Sequence, residues 1–240
     1  MLILFFVLSL ILPQPSFAQS QEYFKYQENY QIFIEKTNVN NTYHSISTQK
    51  ELFEITKKTL NTRELALKSY LNSLKTRLPQ YQSANPEATQ KLIDQLQQLE
   101  VWLDQKAQSA LTLNSDPDLK NYALEFSTKY LEIQQAAYSS LVQHEVNQKT
   151  LVLNELDTLA QLMKTSPSIK NQDWLPDIEA TSSQIKAKLS ESLLETVSPQ
   201  YNHQEFNSFY ADSKEYLNEA QQLLTKMFSN LTIILIKSKS

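Results

Sequence analysis

The sequence predicts an all-α protein built as an amphipathic helical bundle. Three observations carry this. Apolar residues recur at three-four spacing along nearly the whole chain. Glycine is absent from all 240 residues, where average usage would give roughly seventeen. Three breaks in the apolar pattern place a capping side chain directly before a proline. Three-four spacing lays one apolar stripe along each helix, which suits bundle packing. A β-rich chain needs turn residues that accept positive φ, and no Asn-Gly or Asp-Gly hairpin turn exists here.

The first element reads as an address. Residues 2–12, LILFFVLSLIL, are apolar and end at Pro13 and Pro15, and Ser16 and Ala18 put small residues at -3 and -1 of a cut before Gln19. That is the layout of a secretory signal peptide covering 1–18, and the run is short for a membrane span. No Lys or Arg precedes the run, so a retained anchor is the other reading. The expectation is an exported protein of the cell envelope or exterior, with no transmembrane span in the mature chain.

Residues 19–45 read as an aromatic-rich helix and a polar connector. Tyr23, Tyr26, Tyr30 and Phe33 repeat at three-four-three with Phe24 beside them, and TNVNNTYHSIS (37–47) follows as the connector. Residues 49–78 carry Leu60, Leu67, Leu71, Leu74 and Leu78, with Glu64 in the one gap of the pattern. Thr48 and Glu51 have the spacing of a capping box. Residues 86–113 carry Leu92, Leu96, Leu99, Leu103, Ala107 and Ala110. Residues 117–164 carry Leu119, Phe126, Ile133 and Ala137, then Leu153, Leu156, Ala160 and Met163. Residues 174–196 carry Ile178, Ile185, Leu189 and Leu193, and 200–236 carry Phe206, Tyr210, Ser213, Leu217, Ala220, Leu224, Met227, Leu231 and Ile234.

Asn85-Pro86, Asp116-Pro117 and Ser198-Pro199 mark helix starts. The cap oxygen accepts an orphan N–H, and proline at the first helical position lacks that donor anyway. Ser166-Pro167 breaks the fourth stretch. Without glycine, side chains or solvent must satisfy the last carbonyls of each helix.

A shift that lays Pro117 on Pro199 also lays Leu92 on Trp174, Leu96 on Ile178, Leu103 on Ile185 and Leu111 on Leu193. Two arrangements follow. In the first, tandem three-helix units, 46–143 and 144–240, share the long helix 117–164. In the second, one compact up-down bundle breaks that helix near Ser139-Ser140. The length of the helix favours the tandem.

Thr59-Leu60, Arg63-Glu64-Leu65 and Tyr70-Leu71 follow the Tyr/Phe-rich first helix. On these motifs, residues 20–80 resemble uncharacterised secreted all-helical proteins of ultrasmall uncultured bacteria. The resemblance implies export and helices, and it implies no activity.

Composition removes whole classes of chemistry. Zero glycine excludes the Gly-rich phosphate loops and the GxSxG nucleophile elbow. Zero cysteine excludes disulfides, thiolate metal sites and a Cys nucleophile. A formal charge of -4 with interspersed signs argues against nucleic acid as a partner. His144-Glu145-Val146-Asn147-Gln148 begins like HExxH but lacks the second imidazole ligand. The carboxylate pairs Glu51/Glu54, Glu191/Glu195 and Glu215/Glu219 read as solvated helix faces, with Lys188 and Lys214 near enough to join them.

No catalytic, cofactor-binding or metal residue is therefore assigned, and no cofactor is expected. The stripe Tyr23, Tyr26, Tyr30 and Phe33 is the candidate partner surface, because tyrosine joins large contact area to a polar tip. Its competing reading is docking into the bundle core. LTIILI (231–236) has the same two readings, core or contact surface. The function expected is an exported, non-enzymatic helical scaffold or protein-interaction protein with a protein partner. The alternative is a module that binds an apolar or glycan ligand between helices.

Overall fold

A computed structural model describes residues 21–80, 85–167, 169, 172–194 and 203–238. Those residues form six α-helices and no strand: α1 (Gln21–Tyr43), α2 (Ile46–Arg77), α3 (Pro86–Leu111), α4 (Asp116–Thr165), α5 (Leu175–Leu194) and α6 (His203–Ser238). A short 3-10 turn, Leu78–Gln80, follows α2. The signal-peptide reading of 1–18 and the Ser198-Pro199 cap lie outside the described residues.

The chain divides into two compact units, Met1–Arg77 with Lys91–Ala137, and Leu78–Gln90 with Tyr138–Ser240. Helix α4 is continuous over 50 residues and contributes to both. It does not break at Ser139-Ser140, which are buried inside it.

Most of the polar connector is helix. Thr37 is buried and its hydroxyl donates to Phe33 O at 2.8 Å, and Thr42 bonds Asn38 O at 2.9 Å. Threonine and asparagine favour helices weakly, but docking of α1 on α2 outweighs that preference. The connector shrinks to His44 and Ser45. His44 takes φ 47°, the left-handed cap conformation that glycine usually supplies.

The caps of α2 and α4 sit slightly upstream of the expected ones. Thr48 N–H donates to Ser45 Oγ and Ser45 N–H donates to Thr48 Oγ1, both at 3.1 Å, so the reciprocal box is Ser45/Thr48. Asn85 caps α3 as expected, accepting from Ala88 N–H at 3.0 Å. At α4 the cap is Ser115, one residue before Asp116, and it accepts from Asp118 N–H at 3.3 Å. Asp118 reaches back to accept from Asn114 N–H at 3.2 Å. Side chains replace glycine at helix ends: Gln172 Nε2 donates to Lys164 O at 2.9 Å, and Thr112 Oγ1 donates to Ser109 O at 2.9 Å.

In the first unit the expected stripes meet. Leu67, Leu71 and Leu74 of α2, Leu96, Leu99 and Leu103 of α3, and Phe126 and Ile133 of α4 are buried. Leu60, Ala110, Leu119 and Tyr122 cluster near one end, with Phe53 and Leu113 against them. In the second unit Leu153, Leu156, Met163, Ile178, Ile185, Leu189, Leu217, Leu224, Met227 and Leu231 share one core. Ser213 holds an apolar-stripe position there because its hydroxyl donates to Ser192 O at 3.0 Å. A buried hydroxyl with a partner is tolerated where an unpaired one is costly.

Candidate functional site

Helix α1 carries the residues that the sequence marks as a surface. The structure turns that stripe toward α2. Tyr26 and Phe33 are buried, while Tyr23 and Tyr30 are half-buried. The four rings form a ladder, with centroids 6.4 Å apart for Tyr23–Tyr26, 5.9 Å for Tyr26–Tyr30 and 6.3 Å for Tyr30–Phe33. Full burial of one large apolar side chain is worth about 1.5–3 kcal/mol, so Tyr26 and Phe33 anchor the helix. Polar contacts fix its register. Thr59 Oγ1 donates to Asn29 O at 3.2 Å, Lys36 pairs with Glu51 at 2.6 Å, and Thr48 Oγ1 donates to Asn40 Oδ1 at 3.0 Å.

The outer face of α1 is the feature the sequence reading missed. Phe24, Ile32, Val39 and Tyr43 are exposed, with Phe24 at 57% and Tyr43 at 72%. At 3.6 residues per turn they share one arc, roughly opposite Tyr26 and Phe33. Helix α1 is thus apolar on two sides. The signal was legible: counting in threes and fours from Phe24, rather than from Tyr23, reaches all four.

Beneath α1 lies a buried charged cluster. Arg63 and Glu64 are adjacent on α2, and Nε and Nη2 of Arg63 donate to Glu64 Oε2 and Oε1 at 2.9 and 2.7 Å. Tyr122 Oη on α4 donates to Glu64 Oε1 at 2.6 Å. The Arg63 guanidinium stacks on Phe126, 3.7 Å from the ring centroid, and Phe126 packs against Trp102 and Tyr130. Lys106 lies over the rings of Trp102 and Tyr122 and pairs with Glu125. Burial pushes the Tyr122 phenol far above its ordinary range, and the Glu64 charge adds to this. Burial likewise raises Tyr26, with Arg63 opposing. Burial alone would lower Arg63, but Glu64 outweighs it and keeps the guanidinium charged. Both oxygens of this carboxylate are held by Arg63 and Tyr122, so the arrangement is that of a closed structural pair.

A shallow open groove of about 250 Å³ lies between α4 and α5 in the second unit. Asp157 accepts there from Ser182 Oγ at 3.0 Å and from Lys186 Nζ at 3.1 Å, and Glu179 and Gln161 also line it.

The other chemical candidates disperse. His44 is exposed between α1 and α2, His144 is half-buried on α4, and His203 begins α6. Among the described residues no group of three or more His, Asp or Glu is placed to hold a metal ion. Glu51 pairs with Lys36 and Glu54 with Lys57, while Lys188 Nζ joins Glu191 and Glu219, each at 2.9 Å. Lys214 pairs with Glu145 rather than with a neighbour on α6. In LTIILI, Leu231 is core, Ile234 and Leu235 pack against it, and Ile233 and Ile236 face outward. No described helix is long and apolar enough to cross a membrane. No known protein family, characterised protein or solved structure matches the chain.

Proposed function

We propose that this protein is an exported, non-enzymatic helical scaffold that binds a protein partner through the outer face of α1. The observation that carries this reading is the second apolar side of that helix. Tyr26 and Phe33 already anchor α1, so stability of the unit gives no reason for Phe24, Ile32, Val39 and Tyr43 to be apolar. Exposed aromatic and aliphatic residues set among polar ones are the usual composition of an interface core. The bonding of the protein's carboxylates supports the non-enzymatic reading. The buried carboxylate Glu64 is held by Arg63 and Tyr122, and the surface carboxylates Glu191 and Glu219 are held by Lys188.

Capture from envelope extract with the purified protein tests the reading. A specific partner should be retained by the native chain and lost by Phe24→Ser/Ile32→Ser/Tyr43→Ser. Equal retention by the variant would remove α1 from the interface. Export is tested separately by N-terminal sequencing of the secreted protein, which should begin at Gln19.

The groove between α4 and α5 supports a second reading, a small polar or glycan ligand held by Asp157, Gln161 and Ser182. Titration with sugars, followed by amide shifts in 157–186, separates it from the first.

A further inference from the structure

The outer face of α1 is acidic as well as apolar. Phe24, Glu28, Ile32, Glu35, Val39 and Tyr43 follow at four-four-three-four-four, and all six are exposed. At 3.6 residues per turn they fall within an arc of roughly 100°. This is the spacing of a seam that receives another helix side by side. Two of its six positions are carboxylates. Among the described residues neither Glu28 nor Glu35 forms an ion pair. Neither of the nearest lysines closes an ion pair with them: Lys36 is bonded to Glu51 and feels Glu35 only through space, and Lys25 lies at the edge of the arc.

The charges choose between occupants. A second copy of the chain is disfavoured in either orientation. The antiparallel pairing that matches all six positions sets Phe24 against Tyr43 of the copy, Glu28 against its Val39 and Ile32 against its Glu35. Each carboxylate is then covered by an apolar side chain with no cation of the seam to meet it. The shifted pairing that sets Phe24 against Val39 sets Glu28 against Glu35. A parallel pairing sets each Glu against itself. Like charges directly opposed at an interface are destabilising. An anionic lipid surface meets the same repulsion, since interfacial helices bind it through Lys and Arg on the polar face. A helix with apolar residues at three-four spacing, flanked by Lys or Arg, satisfies both features of the seam. Its apolar side covers Phe24, Ile32, Val39 and Tyr43, and its cations meet Glu28 and Glu35.

We propose that the outer face of α1 docks a basic amphipathic helix of a partner protein. This rests on the reading of α1 as a partner surface and adds the chemistry of what it binds.

The probe is a displayed library of helical peptides with randomised surface positions, selected on the full chain. Enriched peptides should place Lys or Arg beside apolar residues at three-four spacing. Their affinity should fall at least about tenfold on Glu28→Lys/Glu35→Lys, because a steering attraction becomes a repulsion. It should also weaken as salt is raised. Both glutamates are exposed, and an unchanged melting temperature will show that the variant is folded. Peptides that lack basic bias, or that ignore the double reversal while Phe24→Ser/Tyr43→Ser abolishes binding, overturn the basic-helix inference alone. Peptides indifferent to both sets of substitutions overturn the partner surface as well. Sedimentation showing a dimer that Phe24→Ser dissociates would assign the seam to a second copy. Binding to phosphatidylglycerol vesicles lost in the same variant would assign it to lipid. Either result overturns the proposal.

Discussion

Tyr122 on α4 donates a 2.6 Å hydrogen bond to the Glu64 carboxylate on α2, although 58 residues separate them in sequence. That bond, with the Arg63 fork on the same carboxylate, fixes how two helices meet in the first unit. A buried ion pair adds little net stability, but breaking one leaves an uncompensated charge.

The first prediction follows from that asymmetry. Glu64→Leu should destabilise the protein by about 3–5 kcal/mol, because Arg63 stays buried without its partner. Arg63→Met/Glu64→Leu should be less damaging than Glu64→Leu by itself. Urea denaturation of the two variants measures the difference. A double variant as unstable as the single one would contradict the paired-charge account.

The alkaline limb of stability is the second. Tyr26 and Tyr122 are raised well above the ordinary phenol range, and burial near Glu145 and Tyr138 pushes Tyr210 up to about 12. Each group keeps its proton in the folded state at pH values where the unfolded chain has lost it. The folded state then binds more protons, so stability must fall as pH rises above about 10. Phenolate absorbance should show the exposed tyrosines titrating first. A later, cooperative step should coincide with loss of helix by circular dichroism. Smooth titration of all 12 tyrosines with the helix intact would be the contrary result.

Most of this fold was legible because helical periodicity reports burial directly. Spacing alone selects Leu67, Leu71, Leu96, Leu103, Leu217 and Leu231, and all are buried. Glu64 is visible as a polar residue at a core position beside Arg63, but its bond to Tyr122 is not. Tyr122 lies between Leu119 and Phe126 in sequence and reaches Glu64 only through tertiary packing. The aromatic ladder was equally legible as a stripe, while its direction was not. Periodicity identifies a face without saying whether it meets another helix or a partner. The ends of α1, α2 and α4 shifted by one to seven residues for a further reason. Ser45, Thr42 and Ser115 can each cap or continue a helix, and the bonds they make, three or four residues along the chain, leave no mark on the apolar spacing.

His44 yields the third prediction. It holds φ 47° without being glycine, and a Cβ in that region costs roughly 1–2 kcal/mol. His44→Gly removes the clash but adds freedom to the unfolded chain. The net expectation is a gain of up to about 1 kcal/mol. His44→Val should lose stability, since a β-branched residue is least tolerant of that conformation. Thermal melts that rank Val above Gly would refute the strained-cap reading.

The start of α4 supplies the fourth. Ser115→Ala should cost about 1 kcal/mol, the ordinary value of an N-cap oxygen. Asp118 acts from the other side: the Ser115 hydroxyl and the Asn114 N–H hold its carboxyl below the usual range. A depressed folded pKa gives stability that is complete above the unfolded value near 4 and is lost as pH falls through the folded value. Asp118→Asn should therefore lower the melting temperature at pH 7, and the two curves should converge in acid. A constant gap down to pH 2 would show that the carboxylate charge is irrelevant to the cap.

The fifth concerns how stability is partitioned. Leu217 is fully buried, and the cluster it belongs to lies between Val142 and Leu231, inside the second unit. The first unit has its own apolar contacts and its own Arg63–Glu64–Tyr122 cluster. Leu217→Asp buries a charge with no partner, which costs several kcal/mol after relaxation. That is comparable to the whole stability of a small helical unit, so the second core should open. Hydrogen exchange on the variant should show protection lost across residues 138–238, while amides of 49–77 and 91–111 keep a substantial part of theirs. The point at which protection returns along α4 would locate the boundary near Ala137 and Tyr138. If protection instead vanishes evenly from residue 49 to residue 238, the helices unfold as one cooperative body, and the two cores do not stabilise themselves separately.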